Sequence, residues 1–257
     1  MTSSPTADRN SADYAADGIP AGPFARTAIG VVVPYDMALD AELWRWTPPE
    51  ATLFIARTPF EPLSVTLEMV ELLGDEESLR ITTKELTSVS PAGYAFACTS
   101  GSFVRGRAAE KSIATAISEA GGAPAVTTSG ALVAALARLG VDRVAIATPY
   151  DAQITAKLKD FLVEGGVAVT GVGYLGLESG IAGVPYARTA ELIREANSPE
   201  AQAIVVSCTN LPTYDLIAPL ERELGKPIIS ANQATMWAAL EQCSLRAVGP
   251  GQRLLSV

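Results

Sequence analysis

Short runs of Val, Ile and Ala alternate with amphipathic, helix-length stretches along almost the whole chain, and this alternation restricts the fold more than any other feature. Strands are predicted at 28–33, 52–56, 94–97, 124–127, 143–147, 167–170, 203–206 and 228–229. Helices are predicted at 62–73, 76–89, 106–120, 129–139, 152–164, 186–196, 214–224 and 233–242. Strands joined through helices at this spacing run parallel, so the fold class is α/β. Ligands of parallel sheets lie off the carboxyl ends of the strands. Pro34, Tyr35, Cys98, Thr128, Tyr150, Cys208 and Asn232 all fall at those ends.

The order of marks repeats. Pro34-Tyr35-Asp36 and Pro149-Tyr150-Asp151 each close an apolar strand, and each precedes a Cys-Thr segment, Cys98-Thr99 and Cys208-Thr209. A further strand and a similar helix start follow each time, Thr128-Ser129-Gly130 and Ser230-Ala231-Asn232. Repetition at this scale means duplicated lobes. The expected division is a disordered tail over 1–26, one lobe from 27–128 plus 230–257, and a second from 129–229.

A cysteine at a strand tip, just before a helix, has backbone N–H groups and the positive helix end beside its sulfur, which predicts an easily ionised thiol. Two such sites suggest two thiols facing one small molecule, although a buried core thiol is the plain alternative for either. Cys243, at the end of the last helix, is expected to be structural. Thr99-Ser100-Gly101-Ser102 and Thr209-Asn210 can cap helices, and they can also cradle a carboxylate with dipoles in place of lysines. Tyr150, at a strand end, can hydrogen-bond an oxyanion.

Composition removes competing chemistries. The chain has 19 Lys plus Arg against 28 Asp plus Glu, a net charge of −9, which argues against nucleic acid as a partner. It contains no histidine, so Ser-His-Asp and Cys-His catalysis are out. Its 3 cysteines have no C-x-x-C spacing, and an odd count suits a reducing cytoplasm. Gly171-Val172-Gly173-Tyr174-Leu175-Gly176 matches a dinucleotide fingerprint literally, but a glycine-broken loop over 171–185 is predicted where a helix should open. Arg57, Arg105 and Arg107 follow strand ends and are as consistent with solvated surface as with an anion. The N-terminus lacks a basic start and an apolar block, so no signal peptide is expected. The uncharged stretch 86–104 is broken by Pro91 and two glycines and is not a membrane span.

Ala97-Cys98-Thr99-Ser100-Gly101-Ser102, Thr148-Pro149-Tyr150, Ser207-Cys208-Thr209-Asn210 and Gly225-Lys226-Pro227 through Asn232-Gln233 together resemble the Asp/Glu racemase superfamily. The resemblance is close to its branch containing maleate cis–trans isomerase and arylmalonate decarboxylase. Residues 34–40 and Leu43-Trp44-Arg45-Trp46 further resemble the ectoine-utilisation members, which implies a place in ectoine catabolism. The resemblance implies two pseudo-symmetric flavodoxin-like lobes with parallel sheets, an active site between them and no cofactor. It makes Cys98 and Cys208 catalytic thiols on opposite faces of a small carboxylate, in a cytoplasmic homo-oligomer. Thr99, Ser100, Tyr150 and Thr209 would bind and polarise the carboxylate, with Pro34, Tyr35, Asp36, Thr128 and Asn210 completing the substrate-binding set.

Cys98 stands where the decarboxylase has glycine, and Met37 stands where maleate isomerase has asparagine. The implied activity is therefore a two-cysteine isomerase, acting either by proton transfer or by reversible thiolate addition to a double bond. The alternatives are a decarboxylase-like carboxy-lyase and a non-catalytic FMN or phosphate binder.

Overall fold

The computed structural model describes residues 26–257, so the tail expected over 1–26 lies, apart from Arg26, outside the described residues. In β1 (Thr27–Val33) the last five residues are buried without alternation, as a strand covered by helices on both faces requires. It pairs in parallel with β2 (Ala51–Arg57) and β3 (Gly93–Phe96), and β3 pairs with β4 (Ala125–Thr127). A second parallel sheet is formed by β5 (Arg143–Thr148), β6 (Ala168–Tyr174), β7 (Ala203–Val206) and β8 (Ile228–Ser230). The strand orders are β2-β1-β3-β4 and β6-β5-β7-β8, the same topology twice. In each sheet the chain leaves the first strand to one side and returns to the other, opening a crevice at their carboxyl ends.

The helices are α1 (Asp40–Arg45), α2 (Leu67–Leu73), α3 (Glu76–Leu86), α4 (Thr99–Phe103), α5 (Gly106–Gly121), α6 (Thr128–Arg138), α7 (Ala152–Glu164), α8 (Tyr186–Ala196), α9 (Ile217–Leu224) and α10 (Ala231–Glu241). Their starts follow local chemistry. Asp75 and Asp151 each accept a backbone N–H at 2.8 Å, from Ser78 and Ile154. Ser230 and Gln233 form a reciprocal capping box at α10.

α10 leaves the second sheet and packs on α6, β3 and β4 of the first. Gln242 Nε2 donates to the Tyr94 carbonyl (2.9 Å), Val248 N to the Trp46 carbonyl (2.9 Å) and Trp46 Nε1 to Gln252 Oε1 (2.8 Å). The C-terminal segment is thus fastened to the first half of the chain.

Three elements depart from the sequence prediction. The helix predicted at 62–73 begins only at Leu67, where Thr66 caps it. The helix predicted at 214–224 begins at Ile217, because residues 208–216 form an irregular loop. The strand predicted at 167–170 continues to Tyr174, so Gly171 and Gly173 are strand residues and not loop. A Cβ on Gly171 would lie 2.2 Å from the Ala196 carbonyl oxygen, so glycine there admits the end of α8 against the strand. Among the described residues no helix is long and apolar enough to cross a membrane, and no group of His, Cys, Asp and Glu could hold a metal.

Candidate active site

The two crevices face each other, and their side chains meet in one narrow cavity of about 20 Å3, room for about one water. Nine of the residues expected from the sequence line it: Pro34, Asp36, Cys98, Thr99, Ser100, Tyr150, Cys208, Thr209 and Asn210. Tyr35 lies outside, in an adjoining vestibule of about 460 Å3, with its hydroxyl donating to the Leu63 carbonyl (3.3 Å). Thr128 is not brought to the cavity. Its hydroxyl sits 2.7 Å from Thr235 Oγ1 in the seam between α6 and α10 and donates to the Phe96 carbonyl.

Cys98 stands at the N-cap position of the five-residue α4 in extended backbone, φ −140°, without a side-chain capping bond. Cys208 is held differently, with φ +88° in the left-handed region that side chains rarely adopt. Lobe-crossing hydrogen bonds hold the loop that follows it. Asn210 Oδ1 accepts from Ala38 N (2.8 Å), and its Nδ2 donates to the Asp36 carbonyl (3.0 Å). Buried Glu42 accepts from Thr213 N (2.8 Å), Tyr214 N (3.0 Å) and Asn232 Nδ2 (3.0 Å). Asn232 Nδ2 in turn donates to the Thr209 carbonyl at 2.9 Å. A non-glycine residue in strained backbone at a cavity wall is a mark of function.

Both thiols are less acidic than their strand-tip placement predicts. Burial pushes Cys98 up to about 12; the Gly101 N–H opposes this, while the charges of Asp36 and Cys208 add to it. Burial pushes Cys208 up to about 11, opposed by hydrogen bonds from the Tyr150 hydroxyl and the Asn210 and Leu211 N–H groups. The physical reason is geometric. α4 is too short to gather much dipole, and no helix starts at Cys208, so desolvation wins. Tyr150 is also pushed well above the ordinary phenol value, by burial and then by the charge of Cys208. Asp36 is exposed on its outer side, yet enough protein surrounds its carboxyl to raise its pKa; the Arg57 charge and an Asn210 hydrogen bond act the other way.

Sequence reasoning missed the apolar wall of Val65, Met69, Leu73 and Ile181. Val65, Met69 and Leu73 read as ordinary apolar positions of the helix predicted at 62–73, and Ile181 lies in a glycine-broken stretch where no period marks it. It also missed Glu42, whose position in a short polar stretch carries no signal that its carboxylate is buried.

Thr99 Oγ1 is buried without a hydrogen-bond partner and lines the cavity. Two thiols and a set of hydroxyl and N–H donors therefore converge on one small space free of Lys and Arg.

The family model described as arylmalonate decarboxylase matches residues 43–255. The chain is 38% identical over 148 residues to arylmalonate decarboxylase of Bordetella bronchiseptica, covering 55% of this chain and 61% of that enzyme, under two thirds of its length. It is 26% identical over 210 residues to maleate isomerase of Geobacillus stearothermophilus, covering 79% of this chain and 83% of that one. A liganded double mutant of arylmalonate decarboxylase superposes with a TM-score of 0.82 at 31% identity, over 89% of this chain and 98% of that one. The match over residues 43–255, together with the same fold, means that this chain belongs to the arylmalonate decarboxylase family.

Proposed function

We propose that this protein is a cofactor-independent isomerase of a small carboxylate, with Cys98 and Cys208 as its catalytic pair. The observation that carries the reading is that both thiols line one cavity, close enough for the charge of Cys208 to act on Cys98. The carboxylate binds through Thr99, Ser100, Thr209 and nearby N–H groups, which also stabilise the enediolate that forms next. In proton transfer, one thiolate takes the proton alpha to the carboxylate, the electron pair enters the enediolate, and the opposite thiol returns a proton to the other face. In cis–trans isomerisation, a thiolate forms a C–S bond at one alkene carbon as the π pair moves into the carboxylate on the other carbon as an enediolate, the remaining carbon–carbon single bond rotates, and the returning pair re-forms the double bond and expels the thiolate. Cys208 has more donors to its sulfur than Cys98, from the Tyr150 hydroxyl and the Asn210 and Leu211 N–H groups, and these favour its thiolate.

A second reading, decarboxylation, is favoured by the wall of Val65, Met69, Leu73 and Ile181, which removes water from a carboxylate placed against it. The loops bearing Val65 and Ile181 wall the 20 Å3 cavity on its apolar side. Those loops are joined by Val65 N donating to the Glu178 carbonyl at 2.9 Å.

The test is proton NMR in D2O with maleate, aspartate, an arylmalonate, hydantoins, and diaminobutyrate with its acetyl derivatives; diaminobutyrate and its derivatives come from the ectoine-utilisation resemblance. Deuterium at an alpha carbon, lost in Cys98→Ala and in Cys208→Ala, supports proton transfer. Conversion of maleate to fumarate supports addition. Loss of CO2 with Cys98→Ala still active overturns the two-thiol isomerase in favour of decarboxylation.

A further inference from the structure

The two Pro-Tyr-Asp stops are used differently, and the difference bears on what the cavity accepts. Asp151 turns back and caps α7, its carboxylate accepting the Ile154 N–H at 2.8 Å. Asp36 has no helix to cap. α1 starts only at Asp40, after Leu39, and no side chain caps it. The Asp36 carboxylate instead lines both the cavity and the vestibule, where its charge raises the pKa of both thiols.

The vestibule repeats the sign. Asp36, Glu61 and Glu178 line it, with no Lys or Arg among its lining residues. Arg57, whose charge reaches Asp36, has its guanidinium taken up by the Met37 carbonyl (2.7 Å) and the Asp40 carboxylate. Deep in the cavity, the unpartnered and 1% exposed Thr99 hydroxyl offers a neutral anchor for one carboxylate. A second carboxylate on the same molecule then faces the Asp36 carboxylate where cavity and vestibule meet, a like-charge repulsion that water only partly screens. An N–H group at that end meets a hydrogen-bond acceptor and a favourable charge.

We infer that Asp36 selects monocarboxylates whose far end carries an N–H donor, an amide or an ammonium, and rejects dicarboxylates of the same shape. The inference rests on the proposed carboxylate site and sharpens it to a substrate class.

Maleate and maleamate test it, since they share size and geometry and differ by a carboxylate against a carboxamide. Protection of Cys98 and Cys208 from iodoacetamide, read by peptide mass at about pH 10 so that thiolate is present and Cys243 is counted apart, gives an apparent affinity for each ligand without needing turnover. In the native sequence maleamate should protect at a concentration about tenfold or more below that of maleate, a ratio of the size a nearby partly screened charge produces. In Asp36→Asn that ratio should collapse toward one, chiefly through tighter maleate binding. Equal protection by the two ligands in the native protein overturns the role of Asp36 and needs no variant, so a folding defect cannot obscure it. An unchanged ratio in Asp36→Asn overturns it as well. Protection by neither ligand instead sinks the carboxylate site itself, and this inference with it.

Discussion

At the end of β5, Tyr150 points into the cavity and Asp151 turns back onto α7; at the end of β1, Asp36 takes the cavity rim and Tyr35 turns outward to the Leu63 carbonyl. The same three residues thus present opposite members to the site. The difference follows from what comes next in the chain. A helix that starts at once claims the aspartate as its cap, whereas a turn leaves it free. The cysteine loops differ in the same spirit. Cys98 sits in regular backbone within its own half, while Cys208 sits in left-handed backbone held by residues 36–42 of the other half. Duplicated topology fixes where a residue stands, and the local hydrogen-bond demand decides which way it faces.

The strongest way to probe this pairing is to delete each thiol. Cys98→Ala and Cys208→Ala should each lower kcat/KM by about 10³-fold on the substrate identified by NMR, the range for loss of a positioned acid or base. If only one deletion matters, the halves are not partners in the chemistry. Next in size is the clamp across the halves. Glu42→Ala strands the Thr213 and Tyr214 N–H groups and should cost ~3 kcal/mol in urea unfolding. It should also speed alkylation of Cys208 relative to Cys98; equal acceleration of both would deny the loop its special dependence on the other half.

The two aspartates give a smaller contrast. Asp151→Ala should lose ~1 kcal/mol of stability as a lost N-cap, and Asp36→Ala should stay within about 0.5 kcal/mol, as a surface change does. Equal losses would show that Asp36 bears structural load after all. Smallest is Tyr150→Phe. Its hydroxyl lowers the Cys208 pKa, so its removal should raise that pKa above about 11 and slow Cys208 alkylation about threefold below it, leaving Cys98 unchanged. For the native protein the sign runs the same way. Both folded thiols ionise above the ordinary value of 9.0, so stability present below pH 9 should decline as pH rises toward 11 and 12.

Much of the fold was legible because a parallel strand buried on both faces writes itself as an uninterrupted apolar run. All eight predicted strands exist, and the pairing of Cys98 with Cys208 followed from strand-end logic. What could not be read depended on contacts between distant segments. The extension of β6 through Gly171 and Gly173 depends on where α8 ends, and a glycine run looks like a loop when that helix is out of view. Val65 and Ile181 come from loops in different halves, which nothing local relates. The high thiol pKa values depend on how tightly the cavity closes, whereas residue type and helix starts argue for the opposite direction.

The fastening of the C-terminal segment to the first sheet has a consequence for biosynthesis. The first-made half emerges from the ribosome with the face that receives α10 still bare, and the Trp46 indole without Gln252. That half cannot reach its final packing until α10 and Gln252 have been made. The second sheet, made later, has most of its own layers in hand sooner. A ribosome stalled before residue 231 therefore holds out an apolar surface for chaperones to cover.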